Sequence, residues 1–586
     1  MGILNKVNYP SDLKLLSKEE LNILAEEIRE ILIKKVNTTG GHMGPNLGFL
    51  EATIALHYVF DAPKDKIVFD ISHQSYTHKI LTGRKDGFIE EKKYHKYTGY
   101  TAPEESEYDL FKVGHTSTSV SLATGLAKAR DINGTDENVI AIIGDGSLTG
   151  GEALEGLNNG GVLNSNFIVV VNDNSMSIAE NQGGIDKHLK ELKLSKGTLK
   201  NNLFKTFGFD YIYVENGNNI DDLINAFEKV KNIDHPIIVH INTEKGHGLK
   251  QAIENKEQFH WIMPHTLDNM GKNINIPTKE TYISITKDYF LNEIKKDNNI
   301  VVVSAATPSI IFTKEERKIA GEHFFDVGIA EQQAVACISG IAKNGAKPVF
   351  IVHSSFIQRT YDQLSQDLAL NNNPATILVC SGSIAGFNDA THLGIFDIPL
   401  ISNIPNIVYL SPTNKEEYLA MLNWSVNKNK KYSVAIRVPM IELESTGIED
   451  KTDYSNINKF KLLEKGENIA ILALGNFLNL GKEVKEELKK QNINATLINP
   501  CYMTGLDTEL LENLKQNHKL VITLEDGILD GGFGQKIASF YGNSDLKVLN
   551  FGAKKEFIDR ESVEELFNRY HLTKELIVKD IFKFYN

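Results

Sequence analysis

Short β-branched runs return along this chain at intervals wide enough for a helix. "NVIAIIG" at 138–144, "NFIVVVNDN" at 166–174 and "PIIVHIN" at 236–242 each have strand length, and the segments between them can cross over a sheet. Apolar runs without polar alternation mark strands buried on both faces, and parallel neighbours need a connection of helix length. The alternation predicts α/β architecture, a parallel sheet flanked by helices. A helix is also predicted near the start, where Ser17 and Glu20 have capping-box spacing and Leu21, Leu24, Ile28 and Ile31 follow at helical intervals.

The same pattern restarts twice. After Trp261 it lapses through "HTLDNMGKNINIPTKE", a polar stretch read as a linker, and resumes with "NIVVVSA", "PVFIVHSS", "ATILVCS" and "NIVYLSP" from 299 to 412. A second polar break, "STGIEDKTDYSNINKF", precedes "NIAILALG", "NATLINP" and "KLVITLEDG". Three tandem α/β domains are expected, at 1–270, 279–445 and 460–586, each a largely parallel sheet flanked by helices; a length of 586 residues is too great for one core.

Composition narrows the function classes. With 41% hydrophobic and 24% charged residues the chain reads as globular. A formal charge of −13 argues against nucleic acid as a partner, because phosphates are held chiefly by clustered Lys and Arg. Cys337, Cys380 and Cys501 form no CxxC pair, which suits a reducing compartment and gives no zinc site. The N-terminus lacks a long apolar segment, no run reaches the length of a membrane span, and Lys6 stands where a myristoylation signal has Ser or Thr. A cytoplasmic protein without a membrane partner is expected.

The chemistry concentrates at two strand ends. In open α/β sheets ligands gather at the carboxyl ends of strands. Gly144 and Gly146 let the backbone turn beside a ligand, Asp145 offers a hard oxygen, a crossover helix is expected near Glu152, and the next strand ends on the amide of Asn174. Two such groups suit Mg²⁺, which takes a few protein oxygens together with those of a bound phosphate, so the implied ligand is a diphosphate.

Strand, GDG, helix, strand and NDN in this order resemble the thiamine diphosphate motif of the transketolase superfamily, and within it the chain resembles the 1-deoxy-D-xylulose-5-phosphate synthase family along nearly its whole length. The segments that carry the likeness are "TGGHMGPNLG", "ISHQSYTHKILTGR", "VGHTSTS", "GIAEQQA", "SSFIQRTYDQ", "ATHLGIFD" and "GGFG". The resemblance implies that Asp145 and Asn174 bind Mg²⁺ through their side chains and Met176 through its carbonyl. His73, Gly114, His115, Thr116, Gly146, Ser147 and Asn174 would line the cofactor, and Phe356 would stack on its pyrimidine with Arg359 and Asp362 nearby. Glu331 would bond N1′ of the aminopyrimidine and so drive the first proton transfer. His42, His73, His260 and His392 would face the reacting carbonyl. The implied reaction decarboxylates a 2-oxo acid, pyruvate in the family, and adds the two-carbon unit to an aldehyde; a homodimer is implied as well.

Several positions depart from the family's pattern. It usually has arginines where this chain has Ser381 and Met440, and those arginines hold the acceptor's phosphate, a task neither Ser nor Met can perform. Lys or Arg residues elsewhere, such as Arg437 or Lys250, could substitute. His353 replaces a usual Tyr, Asn388 an Asp, Gln333 a His, Pro45 a Ser and Leu249 a Tyr, and the segment 183–203 is shorter than the family's stretch over the active site. An acceptor without phosphate is the expectation. The competing readings are a transketolase, a 2-oxo acid decarboxylase or acyloin-forming enzyme, and a non-catalytic paralogue; a nicotinamide enzyme is disfavoured because "LALGNFLNLG" lacks GxGxxG spacing.

Overall fold

The computed structural model describes residues 2–272, 279–387 and 389–585, which leaves part of the first linker and Asn388 outside the described residues. They form two compact units. One comprises residues 1–277 with 328–330, and the other holds the rest of the chain.

The first unit is built on β1 (Lys66–Phe69), β2 (Val139–Gly144), β3 (Phe167–Asp173), β4 (Asp210–Val214) and β5 (Pro236–Asn242), all parallel in the order β1-β2-β3-β5-β4. Alternation along its strands feeds two cores. Ile140, Ile142, Ile168 and Val170 are buried in one cluster, and Val139, Ala141, Ile143, Val169 and Val171 in the other. The helix Lys18–Thr39 covers one face; Ser17 accepts the Glu20 N–H and Glu20 reaches back, the capping box expected there. The helices Ser119–Asn133 and Gly151–Gly160 cover the other face, the second being the crossover expected near Glu152.

The second unit holds two sheets. β6 (Ile300–Ser304), β7 (Phe324–Asp326), β8 (Lys347–His353), β9 (Thr376–Cys380), β10 (Ile407–Leu410) and β11 (Ser433–Val438) are parallel in the order β10-β11-β9-β8-β6-β7. β12 (Lys461–Glu464), β13 (Asn468–Ala473), β14 (Thr496–Asn499), β15 (His518–Ile528) and β16 (Lys547–Ala553) lie in the order β12-β14-β13-β15-β16, with β12 antiparallel. One hydrophobic cluster draws on both sheets, joining Phe350, Val352 and Ile377 to Ala470, Leu472 and Val521. The shared core is why these two sheets form one compact body.

The strands not singled out in the sequence have a common cause. β1, β4, β7, β12 and β16 are all at sheet edges, where one side of a strand is unpaired and a continuous apolar run is not required. β11 is central, and its pattern is interrupted by Arg437, a charged residue that is nevertheless buried. The second polar break contains neither helix nor strand, but Tyr454 within it is buried against Trp424 and Tyr502. Among the described residues no helix is long and apolar enough to cross a membrane, and the three cysteines are free.

Candidate active site

In the first unit, adjacent parallel strands bring the two polar clusters to one point. β2 and β3 pair with Gly144 opposite Asn172, and the Asp145 N–H donates to the Asn172 carbonyl at 3.1 Å. Asp145 is 2% exposed; its Oδ1 accepts the Gly146 N–H at 3.0 Å and its Oδ2 the Met176 N–H at 3.2 Å. Asn174 Oδ1 accepts the same Met176 N–H at 3.1 Å. A side chain at Gly146 would meet Ser177 Cβ at 2.8 Å, so only glycine fits this turn.

Burial, and after it the neighbouring carboxylate of Asp173, push the Asp145 carboxyl well above the usual range. Asp173 goes the other way. Burial would raise it, but the hydrogen bond from His240 at 2.9 Å and the Lys193 ammonium at 2.7 Å outweigh that and hold it low. Among the described residues no group of three or more His, Cys, Asp or Glu is gathered as a metal cluster. The donors here are oxygens of mixed type, a carboxylate and an amide, beside a charge-rich buried site.

The "VGHTSTS" loop is fixed by a residue that the sequence reading missed. Asp70, directly after β1, accepts the N–H groups of Ser117 at 2.8 Å and Ser119 at 2.9 Å, and Ser117 Oγ donates to the Ser147 carbonyl at 2.8 Å. Gly114, His115 and Thr116 are thereby carried beside Ser147. Residues 328–330 also belong to this unit, where the Ile329 N–H donates to Thr149 Oγ1 at 2.9 Å.

Three of the four histidines converge. The rings of His42 and His73 have centroids 4.9 Å apart, and His260 lies 5.5 Å from the first and 5.4 Å from the second. Paired backbone bonds between Gly41 and Ile262, both 2.9 Å, bring residues 42 and 260 together, while Asn46 Nδ2 donates to the carbonyls of His42 and His73 at 2.7 and 2.8 Å. Burial, then the nearby Lys245, push His260 far below the ordinary histidine value, so its ring is neutral. Its Nδ1 is buried without a hydrogen-bond partner.

Lys245 was also missed. Its ammonium donates to the Ser177 carbonyl at 2.5 Å, just past Met176, and burial lowers its pKa to about 7. The signal that could have found it is "TEKGHG" at the end of β5, a charged residue in a glycine turn at a strand's carboxyl end. The segment 183–203 is largely an ordered helix, Gly183–Leu194, that buries Leu189 and Leu192 in the core and aims Lys193 at Asp173. It supports the Asp145 site from behind.

In the second unit, Glu331 opens the helix Glu331–Lys343 and is 4% exposed. Burial raises its pKa, opposed by Arg359, whose Nη1 is 3.8 Å from Oε2, and Oε2 has no hydrogen-bond partner. A buried carboxyl with an unused oxygen is poised to bond a ligand atom. Phe356 and His392 belong to a box of four rings: His353 lies 5.4 Å from Phe356 and 5.5 Å from Phe387, and His392 lies 5.7 and 6.1 Å from the same two phenyl rings. Burial lowers His353 to about 4, and its Nδ1 is 3.1 Å from Ser381 Oγ.

The two cations named as possible substitutes for the missing arginines are otherwise placed. Arg437 is buried and engaged with both oxygens of Asp397, at 2.7 and 3.1 Å, and with the Gly394 carbonyl at 3.1 Å. Lys250 points outward beside Glu254, and Met440 is 54% exposed.

The family model for 1-deoxy-D-xylulose-5-phosphate synthase matches residues 4–202 and 192–243, that for the transketolase pyrimidine binding domain matches 279–445, and that for the transketolase C-terminal domain matches 458–577. The chain is 38% identical to a 1-deoxy-D-xylulose-5-phosphate synthase of Halothermothrix orenii, over 99% of this chain and 97% of that protein. It is 36% identical to the enzymes of that name from Clostridium botulinum and Clostridium beijerinckii, over 100% of both chains in each case.

Proposed function

The chain belongs to the 1-deoxy-D-xylulose-5-phosphate synthase family, and from that premise we propose that it is a thiamine diphosphate-dependent transferase that decarboxylates pyruvate or a related 2-oxo acid and adds the two-carbon unit to an aldehyde. Residues 1–270, 279–445 and 460–586 serve as the diphosphate-binding, aminopyrimidine-binding and C-terminal domains of a cytoplasmic homodimer.

The side chains fit both groups that the family implies. Mg²⁺ suits Asp145, Asn174 and Met176, because a divalent cation offsets the repulsion between the buried Asp145 and Asp173 carboxylates and takes hard oxygens. In the first unit Gly146 and Ser147, with Gly114, His115 and Thr116, would hold the diphosphate and His73 would line the cofactor; in the second unit Phe356 and Arg359 would serve the aminopyrimidine. When bound, thiamine diphosphate supplies the carbanion and the electron sink.

The observation that carries the reading is Glu331: buried, raised in pKa and with no hydrogen bond to Oε2, it is equipped to share a proton with a ring nitrogen of the cofactor. Neutral His260, beside His42 and His73, can donate to an oxygen that gains charge without bringing a competing cation, and His392 offers a further donor. Purified protein given thiamine diphosphate, Mg²⁺ and pyruvate should release CO₂, faster with aldehydes, and form a deoxyketose. Glu331→Ala should abolish release. CO₂ release that persists in that variant, or a protein that binds cofactor but turns over nothing, would overturn the reading.

A further inference from the structure

The loop that carries Phe387 and His392 joins β9 to the helix Asp397–Ser402, yet its inward side chains leave the core of their own sheet. Ile384, Leu393 and Ile395 are buried with Ile469, Ile471 and Leu524 of the third sheet. The backbone is held from the same side. Asp526, on β15, accepts the Ile384 N–H at 2.7 Å through Oδ1 and Asn476 Nδ2 at 2.5 Å through Oδ2, and is 1% exposed. Asp559 accepts the Ala390 N–H at 3.3 Å, and the Ile395 carbonyl accepts the Ile528 N–H at 3.1 Å.

The loop is also closed on itself. A side chain at Gly394 would lie 2.1 Å from the Ser381 carbonyl oxygen, so the two ends of the loop touch through glycine alone. A loop so closed moves as a piece, and the amides that fix it to the third sheet decide where its rings sit. A buried carboxylate accepting a backbone N–H makes a charge-assisted bond, and removing the carboxylate leaves that N–H without a partner.

We propose that Asp526 is a positioning residue: through the Ile384 amide it sets the loop so that His392 and Phe387 face Phe356 and His353, which makes the third sheet and its helices a working part of the active site. The proposal rests on the reading of His392 as a group that acts on the reacting carbonyl. The third sheet thus has a catalytic role beyond any part in dimer contact.

The test uses the full chain with thiamine diphosphate and Mg²⁺, and compares wild type, Asp526→Ala, Asp526→Asn, His392→Ala and the double variant Asp526→Ala/His392→Ala. Asp526→Ala should speed amide exchange across residues 384–394 by at least about tenfold while first-sheet peptides stay unchanged, and should lower kcat/KM for the acceptor by about 10–100-fold. In the His392→Ala background it should cause no further loss, and Asp526→Asn, which keeps an oxygen for Ile384, should recover most of the activity. Unchanged exchange in that segment, or a loss that adds in full to that of His392→Ala, overturns the proposal. Full activity in His392→Ala alone defeats the reading of His392 instead, and the exchange result then decides the positioning by itself. Should Asp526→Ala not fold, Asn476→Ala removes the amide bonded to Asp526 Oδ2 and leaves Arg437, 3.9 Å from the same oxygen, in place, and the same changes are expected at about threefold.

Discussion

Asp145 and Asn174 accept the same backbone N–H, that of Met176, at 3.2 and 3.1 Å. The shared donor brings the two side-chain oxygens together where β2 and β3 end. Adjacent parallel strands make this meeting unavoidable once each strand is followed by a short turn.

Support for that point comes from Lys193, whose ammonium bonds Asp173 Oδ1 at 2.7 Å and Ser175 Oγ at 2.6 Å. Lys193→Ala should weaken Mg²⁺ binding at the proposed Asp145–Asn174 site by about 10–100-fold, the loss typical when a group that orders the neighbours of a metal ligand is removed. Titration of Mg²⁺ against cofactor binding by calorimetry measures it; unchanged affinity would mean the helix Gly183–Leu194 plays no part in the metal site.

Glu331 separates function from stability. Glu331→Gln removes a carboxyl that burial already disfavours, so the melting temperature should hold or rise, while CO₂ release falls by about 10²–10⁴-fold, the usual range for lost acid–base catalysis. A variant that loses activity only in proportion to lost stability would place Glu331 in the core and not in the chemistry.

Acid should weaken the first unit. His57 and His78 are buried and His260 is half-buried, and burial holds all three below the ordinary value of 6.5, so they remain neutral while the unfolded chain takes up protons there. Stability is therefore complete above pH 6.5 and is lost as pH falls below it, by on the order of 1 kcal/mol per pH unit for each group. Urea midpoints from pH 7.5 to 5 should fall, and His57→Gln should flatten the slope; a flat profile in wild type would contradict the burial of these rings.

Acceptor preference follows from the second unit. With Arg437 tied to Asp397, and Ser381 to a neutral His353, aldehydes without phosphate should show kcat/KM at least about tenfold above their phosphorylated counterparts, the worth of one lost charged contact. Paired kinetics on short aldehydes of both kinds measure the ratio. Efficient turnover of glyceraldehyde 3-phosphate would show that other groups hold the phosphate.

Central strands were legible because burial on both faces writes itself as an unbroken apolar run, and the motifs at their ends were legible because the family likeness named them. Of the edge strands only β10 showed such a run, since an edge does not need one, and β11 was hidden by Arg437. Asp70, Lys245 and Lys193 were missed for a related reason: each acts on backbone or side chains distant in sequence, and nothing near them in the chain marks the contact.

The sequence by itself determined the α/β alternation and the GDG and NDN turns, because strand periodicity and turn chemistry are local properties, while Glu331 was marked only by the family likeness. Only the tertiary structure decided that His42, His73 and His260 meet, that Arg437 is unavailable to a substrate, and that the loop bearing His392 is held by Asp526. Those are outcomes of packing between segments up to 218 residues apart, from His42 to His260. Desolvation, which sets their charge, exists only once the chain has closed around them.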